Sequence, residues 1–190
     1  MKNLGEAIFK SSYQTGKDIP NDKPQVCFLG RSNSGKSTTL KALIHNSSTV
    51  KTSKTPGHTR HINVFESKNF YLIDLPGYGY AKASRKKKGQ LSDKIYSYLS
   101  ESTGLSAGLL VIDCRRKLRE DEITLSQIFR ENQVPLILLQ NKYDKLNQKD
   151  KNELKKYNKE IDPKFTLIIQ VSAFKKTGYE NLMNFLLSLH

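Results

Sequence analysis

The order of apolar and polar residues predicts alternating strands and helices over most of the chain. Short apolar runs predict strands, and the continuous run at 109–112 is typical of a strand buried on both faces of a sheet. Apolar residues spaced three and four apart predict the helices between them. The predicted strands cover residues 26–29, 70–75, 109–112, 134–139 and 165–171, and the predicted helices lie near residues 37–46, 90–100, 123–129, 149–159 and 182–189.

Residues 61–65 alternate between polar and apolar, and a short turn at 67–69 separates them from the strand at 70–75. These two strands are therefore expected to pair antiparallel. The other strands alternate with helices, which favours an α/β fold with a mostly parallel sheet and helices on both faces. We predict six strands within a domain at 24–190, with the 61–65 strand antiparallel at one edge. Residues 1–23 are polar and are predicted to form an N-terminal extension.

Basic residues outnumber acidic ones by 32 to 18, which gives the chain a formal net charge of +14. This balance favours an anionic partner such as nucleic acid, anionic lipid or a ribonucleoprotein. No apolar run approaches the ~18 residues of a membrane-spanning helix, and the first residues lack the apolar core of a signal peptide. Cys27 and Cys114 lie in apolar runs and are expected to be buried free thiols, which suits a reducing compartment such as the cytoplasm.

A phosphate-binding loop is predicted where the strand at 26–29 runs into residues 30–37, whose sequence GRSNSGKS matches GxxxxGK[ST]. Glycines let the backbone approach phosphates closely, so that several N–H groups point inward at the start of a helix. In this pattern Lys36 would reach the β- and γ-phosphates, and Ser37 would bind Mg²⁺.

A second motif of the DxxG type, Asp74-Leu75-Pro76-Gly77, closes the strand at 70–75. An aspartate at this position downstream of a phosphate loop can hold Mg²⁺ through water. The Gly77 N–H could then contact a γ-phosphate, which would make the following segment sensitive to hydrolysis.

Residues 141–144, with the sequence NKYD, follow the strand at 134–139 and predict guanine recognition. Guanine presents two neighbouring donors that one carboxylate can accept together, and Asp144 is the candidate acceptor. The aliphatic stem of Lys142 can lie along the base, and Asn141 can bond both the base and a loop. A backbone N–H at Ser172-Ala173, after the last strand, could bind the guanine O6.

In this order and at these strand ends, the motifs resemble the core of the translation-factor-like P-loop GTPases over about residues 24–190. The segments GRSNSGKS, KTPGHTRHINVF, LIDLPGYGYAK, VIDCRR and NKYDK resemble more closely the ribosome-biogenesis GTP-binding proteins of the YihA/YsxC/EngB type. The resemblance implies a Ras-like P-loop GTPase domain and a cytoplasmic GTP/GDP switch that uses Mg²⁺. It also implies a role in assembly of the large ribosomal subunit, with rRNA and ribosomal proteins as partners, and a link to cell division. We expect a monomer.

The resemblance further assigns roles within the polar loop at 47–60. Thr59 is implied as the threonine that binds Mg²⁺ and the γ-phosphate in the GTP state, although Thr55 is a rival.

The pair Asp113 and Arg115 resembles a structural Asp-x-Arg of the family. The chain departs from the family at Asn141, where threonine is more usual, but asparagine is the commoner residue across GTPases.

Slow intrinsic hydrolysis is expected, because Tyr78 stands where Ras-like proteins place a water-orienting glutamine directly after DxxG. Asn33 is a candidate to help bind K⁺ near the phosphates, which would supply positive charge to the transition state. The alternative is that Asn33 only shapes the loop.

The resemblance and the motifs together give three sets of site residues. The predicted catalytic residues are Asn33, Lys36, Thr59 and Gly77. The predicted Mg²⁺ ligands are Ser37, Thr59 and, through water, Asp74. The predicted nucleotide-binding residues are Gly30, Arg31, Ser32, Asn33, Ser34, Gly35, Lys36, Ser37, Thr38, Gly57, His58, Thr59, Asp74, Leu75, Pro76, Gly77, Asn141, Lys142, Asp144, Ser172, Ala173 and Phe174.

Two basic segments have alternative interpretations. The run Arg85-Lys86-Lys87-Lys88 is either a solvated face or a contact to ribosomal RNA phosphates, with Tyr78 or Tyr80 available to stack on a base. The lysines of 149–159 are interpreted as a solubilising stripe.

A membrane-surface signalling or trafficking GTPase is the alternative function, but MGxxx[ST] and CaaX signals are absent. An ATP-dependent kinase is disfavoured by NKxD, and a binding module that uses GTP only for structure stays open.

Overall fold

The computed structural model describes residues 6–44, 61–79 and 93–189, and within these ranges strands and helices alternate along the chain. The strands are β1 (Ala7–Tyr13), β2 (Gln25–Leu29), β3 (Ile62–Ser67), β4 (Tyr71–Asp74), β5 (Leu105–Asp113), β6 (Leu136–Asn141) and β7 (Leu167–Gln170). The helices are α1 (Lys36–Leu43), α2 (Asp93–Glu101), α3 (Glu120–Glu131), α4 (Gln148–Ile161) and α5 (Glu180–Leu187). Short 3₁₀ turns lie at Tyr143–Lys145 and Asp162–Lys164.

All the described strands belong to one sheet with the order β1-β3-β4-β2-β5-β6-β7. β2 lies between β4 and β5 and pairs parallel with both, and β6 and β7 continue the parallel array. β3 and β1 pair antiparallel. The carboxyl ends of the parallel strands therefore meet along one edge of the sheet, which is where open α/β sheets bind ligands.

The two faces of β5 show why its apolar run is continuous. Leu109 and Val111 pack in the core on one face, while Leu110 and Ile112 pack in the core on the other. α1 and α5 cover the first face, and α2 and α3 cover the second. The predicted α/β fold with a mostly parallel sheet between two helical layers is thus confirmed. No helix in the described ranges is long and apolar enough to cross a membrane.

The predicted number of six strands is wrong, because residues 7–13 form a seventh strand. This strand, β1, occupies the edge that was predicted for 61–65, and β3 lies one position further in. The hydrophobic pattern did not reveal β1 because only Ala7 among its residues is fully buried. Its pairing depends instead on its partner: Lys10 bonds Glu66 at 2.8 Å, and the ring of Phe9 packs edge-on against Phe65.

Candidate functional site

The loop between β2 and α1 carries the predicted phosphate-binding residues to the carboxyl edge of the sheet. Positive φ angles of 67° at Asn33 and 96° at Gly35 curl its backbone round a concave space. A Cβ atom on Gly35 would lie only 2.1 Å from Asn141 Nδ2, so this position requires glycine. Helix α1 begins directly after the loop and adds the positive end of its dipole. The loop therefore has the shape and polarity to bind a polyphosphate.

Lys36 and Asp74 form an ion pair beside this loop, and both side chains are largely buried. The parallel pairing of β2 with β4 brings them together, since Phe28 is the register partner of Asp74. Ser37 and Thr38 follow Lys36 in the first turn of α1. The hydroxyl and carboxylate oxygens of Ser37 and Asp74 suit Mg²⁺, a hard cation that prefers oxygen ligands. The residues present therefore fit a Mg²⁺-bound phosphate chain.

The segment after β4 packs directly against the phosphate loop. The Ser32 N–H donates to the Tyr78 carbonyl at 3.2 Å, and Arg31 and Tyr78 form a parallel bridge that extends the β2–β4 pairing. A Cβ on Gly77 would lie 3.3 Å from the Ser32 nitrogen, so this glycine sits close to the loop backbone. Leu75, in the same motif, is fully buried. The end of the DxxG motif thus touches the same loop that curls round the phosphate space.

Tyr78 is buried, and its hydroxyl donates to Glu122 Oε1 at 3.0 Å at the start of α3. Arg116 donates to both Glu122 oxygens, at 2.8 and 3.2 Å. Burial and the Glu122 carboxylate raise the pKa of the Tyr78 phenol well above its usual value. Arg31, from the phosphate loop, reaches the same helix and bonds Asp121 at 2.6 Å.

This network was not foreseen from the sequence. Nothing in the spacing of residues 31, 78 and 121–122 indicates that they meet, and acids in the first turn of a helix such as α3 are favourable in any case. Burial raises the pKa of the Asp121 carboxyl, and the Arg31 guanidinium opposes that shift. The side chain of Arg31, placed in the predicted nucleotide-binding set, is thus directed to α3.

Asn141 links the phosphate loop to the loop after β7. Its Nδ2 donates to the Ser34 carbonyl at 3.0 Å, and its Oδ1 accepts from the Ala173 N–H at 2.9 Å. Only 3% of Asn141 is exposed, so both bonds are shielded from water. The Ala173 N–H, one of the donors considered for the guanine O6, is therefore engaged by Asn141.

Lys142 also connects two loops. Its Nζ donates to the Asn33 carbonyl at 2.9 Å and lies 3.0 Å from Asp113 Oδ2. Arg115 binds the same carboxylate through two nitrogens, at 2.9 and 2.7 Å. These charge-assisted bonds hold the pKa of Asp113 well below its usual range. Asp113 and Arg115, predicted to be a structural pair, are thus bonded to each other, and the same carboxylate orients Lys142.

Asp144 is held by Ser172, whose hydroxyl donates to Oδ1 at 2.6 Å. This bond is the main cause that lowers the pKa of Asp144. The Ser172 hydroxyl also accepts from the Lys175 N–H at 3.0 Å. Beside them Phe174 exposes 83% of its surface, an unusual exposure for an aromatic ring on a tightly bonded loop. The structure thus brings the residues of the 141–144 and 172–174 loops to one end of the phosphate loop.

Several predicted residues lie outside the described ranges. These are Gly57, His58 and Thr59, the rival Thr55, and the basic run 85–88 with Tyr80. The remaining predicted residues of 30–38, 74–77, 141–144 and 172–174 lie in loops and element ends at the carboxyl edge of the sheet.

Comparison with known proteins also indicates a GTP-binding domain. The family described as "50S ribosome-binding GTPase" matches residues 25–142, and the "Elongation factor Tu GTP binding domain" matches residues 99–190. A crystal structure of a probable GTP-binding protein engB shares 28% identity with a TM-score of 0.64, over 87% of this chain and 97% of that one. Era, solved with MgGDPNP and nucleotides of 16S ribosomal RNA, shares 25% identity with a TM-score of 0.65, over 87% of this chain and 56% of that one.

The similarity to curated sequences extends over nearly the whole chain. The probable GTP-binding protein EngB of Thermoanaerobacter pseudethanolicus is 37% identical, over 93% of this chain and 93% of its own length. The corresponding protein of Mycoplasmopsis pulmonis is 38% identical, over 95% of this chain and 97% of its own length. The chain therefore belongs to the EngB family of GTP-binding GTPases.

Proposed function

We propose that this GTPase is a GTP/GDP switch with slow intrinsic hydrolysis that assists assembly of the large ribosomal subunit. The observation that supports the switch is the position of Tyr78, directly after Gly77: its carbonyl accepts from the Ser32 N–H of the phosphate loop, and its hydroxyl donates to Glu122 of α3. A γ-phosphate that draws in the Gly77 N–H would therefore act on a segment already tied to a second element.

The phosphate end of the site is assigned from the Lys36–Asp74 pair. When nucleotide binds, Lys36 would turn from the carboxylate to the β- and γ-phosphates. Asp74 would then be free to hold a water on Mg²⁺, with Ser37 as a direct ligand and Thr59 completing the set in the GTP state. Mg²⁺ neutralises charge on the phosphates when bound.

Guanine recognition is assigned to Asp144, whose ionised form is favoured by the Ser172 hydroxyl. The base would lie between the stem of Lys142 and the exposed ring of Phe174. Asp144→Asn tests this assignment, because xanthine has a carbonyl where guanine has its amino group. The variant should weaken GDP binding and favour xanthosine diphosphate. Unchanged preference for GDP would contradict the assignment.

Slow hydrolysis follows from the place of Tyr78. Its hydroxyl is committed to the buried Glu122 carboxylate, so this residue does not orient an attacking water as a glutamine would. Added positive charge from K⁺, bound with the help of Asn33, would compensate in part. The φ angle of 67° at Asn33 shows that this residue bends the loop, so any ion-binding role comes in addition to a structural one.

A cytoplasmic role on the large ribosomal subunit is supported by the +14 charge and by the match to a family described as 50S ribosome-binding. Co-sedimentation with purified subunits tests it, with the chain nucleotide-free, bound to GDP and bound to a non-hydrolysable GTP analogue. We expect selective pelleting with the large subunit in the GTP-analogue state. Asp144→Asn provides the control, because its pelleting should respond to a xanthosine analogue instead. Equal binding to both subunits in every state would overturn the proposal.

A further inference from the structure

A groove of about 540 Å³ lies between α4 and the sheet-edge strand β7, outside the site described above. The side of α4 facing it carries Gln148, Lys151, Asn152, Lys155 and Asn158. These positions recur at intervals of three and four, so they form one face of the helix. Among the described residues, none that lines the groove is acidic. The volume lies in the range of ~300–1,000 Å³ that is typical of ligand sites.

Two of the three acids of α4 line a different cavity. Asp150 and Glu153 line a separate cavity between α4 and the loop that follows β5. Leu154 reaches both cavities from the buried side of the helix. The lysines of the groove are therefore separated from the carboxylates of Asp150 and Glu153. A helix that served only solubility would not require this separation, because mixed charges serve solubility equally well.

Two side-chain amides that line the groove, those of Asn158 and Gln170, are bonded to the buried Gln140 behind them. Gln140 and Asn158 exchange two hydrogen bonds, of 2.6 and 3.0 Å, and Gln170 donates to Gln140 at 2.8 Å. These bonds fix the amide planes of Asn158 and Gln170 before any ligand arrives. Fixed amides that present both donors and acceptors are suited to the hydrogen-bonding edges of a nucleobase.

An aromatic ring closes one end of the groove. Tyr143 lines it, and the Lys151 ammonium lies 5.2 Å from the centre of that ring. Single-stranded nucleic acids bind proteins through bases stacked on aromatic rings and phosphates placed on neighbouring cations. Tyr143 also stands between Lys142 and Asp144, so the groove adjoins the proposed guanine site.

We propose that this groove binds a segment of single-stranded RNA. One base stacks on Tyr143, the amides of Asn158 and Gln170 contact a base edge, and Lys151 and Lys155 bind the flanking phosphates. The inference rests on the proposed function and deepens it, because it names a surface through which the chain would hold ribosomal RNA.

The test compares two double variants that remove the same charge from α4. Lys151→Gln with Lys155→Gln alters the groove, and Lys149→Gln with Lys156→Gln alters exposed lysines that do not line it. Each GDP-bound protein is titrated into a short fluorescein-labelled single-stranded RNA across a salt series, with fluorescence anisotropy as the readout. Unchanged GDP affinity and unfolding midpoint verify that each variant is folded.

Each lost phosphate contact should flatten the salt dependence of log K by about 0.7 for single strands, so the groove variant should lose about 1.4 in slope. Its affinity deficit against the wild type should then shrink about sevenfold between roughly 50 and 200 mM salt. The control variant should keep a slope near that of the wild type. Equal changes in the two variants would overturn the groove as a binding site.

Ultraviolet crosslinking gives an independent readout. A base stacked on Tyr143 should crosslink to the peptide that contains it, and excess duplex RNA should not compete. Crosslinks found only on other peptides would overturn the inference. The proposed function fails separately, since it is tested by pelleting of the wild type with whole subunits. Nucleotide-dependent pelleting that survives in the groove variant, together with unchanged RNA slopes, would reject the groove alone.

Discussion

Replacing Asn141 by alanine is expected to destabilise the nucleotide-free chain and to weaken guanine nucleotide binding at the same time. The reason is that Asn141 bonds two other loops before any base is present. Its amide joins the Ser34 carbonyl of the phosphate loop to the Ala173 N–H of the loop after β7. Alanine would leave both backbone groups without these partners, in a place where Asn141 itself is 3% exposed.

The magnitude follows from the two lost bonds. A buried hydrogen bond contributes about 0.5–1.5 kcal/mol net, and a buried polar group left without a partner costs about 1–3 kcal/mol. Partial relaxation of the two loops should keep the loss for Asn141→Ala near 2–4 kcal/mol in the free energy of unfolding. For a chain of this size, this corresponds to a fall of about 5–15 °C in the melting temperature.

Urea unfolding of the nucleotide-free protein measures the loss, and a fluorescent GDP analogue measures binding. Asn132→Ala is the matched control, because Asn132 also donates one side-chain bond to a backbone carbonyl but is exposed. It should cost less than about 1 kcal/mol. Asn141→Thr should fall between, since one hydroxyl can replace only part of the amide. The reasoning is refuted if Asn141→Ala lowers the free energy of unfolding no more than Asn132→Ala does, while its affinity for GDP is lost. In that case the Asn141 amide would act only by binding the base.

Three further outcomes are expected. Ser172→Ala removes the bond that depresses the pKa of Asp144. The loss of GDP affinity on acidification should therefore begin at a higher pH than in the wild type. An unchanged pH dependence would mean that the hydroxyl does not lower the pKa of this carboxylate. The stability that this bond contributes is present above the unfolded-state pKa and is lost as pH falls through the folded-state pKa, so the variant should differ least from wild type in acid. Tyr78→Phe should lower the free energy of unfolding by about 1–2 kcal/mol, because it removes a bond to the charged Glu122. The rate of single-turnover GTP hydrolysis should not fall. A large fall in that rate would mean that the hydroxyl takes part in the hydrolysis step. Hydrolysis should be faster in K⁺ than in Na⁺, and Asn33→Ala should abolish that difference; equal rates for the wild type in both salts would end the cation hypothesis.

Central strands whose residues are buried on both faces could be predicted from their apolar runs alone. β5 and β6 carry continuous apolar runs because helices cover them on both sides. β1 could not be predicted in this way, since most of its residues are exposed and its pairing is determined by β3. An edge strand of this kind is determined by bonds such as Lys10 to Glu66, between residues 56 positions apart.

The candidate site likewise has features that could be predicted from the sequence and features that could not. The phosphate loop, the DxxG segment and the guanine loop at 141–144 were each identified by a short motif, because such loops need particular residues at fixed local spacing. The bonds between loops were not identified, since Asn141 and Ser34 are 107 positions apart and Lys142 and Asn33 are 109 apart. Only the order of the strands in the sheet brings such pairs together, and local periodicity carries no information on that order.

The acids at the start of α3 show what this limit means for function. By sequence Asp121 and Glu122 are a favourable first helical turn, yet in the fold they are buried and bind Arg31 and Tyr78. The phosphate loop and the segment after Gly77 are thereby attached to one helix. Any movement of Gly77 towards a γ-phosphate must then carry Tyr78 along or break its bond to Glu122, while the Arg31–Asp121 pair holds the loop in place. Tyr78, to which we attribute the proposed slow hydrolysis, is therefore the same residue through which the nucleotide state would reach α3.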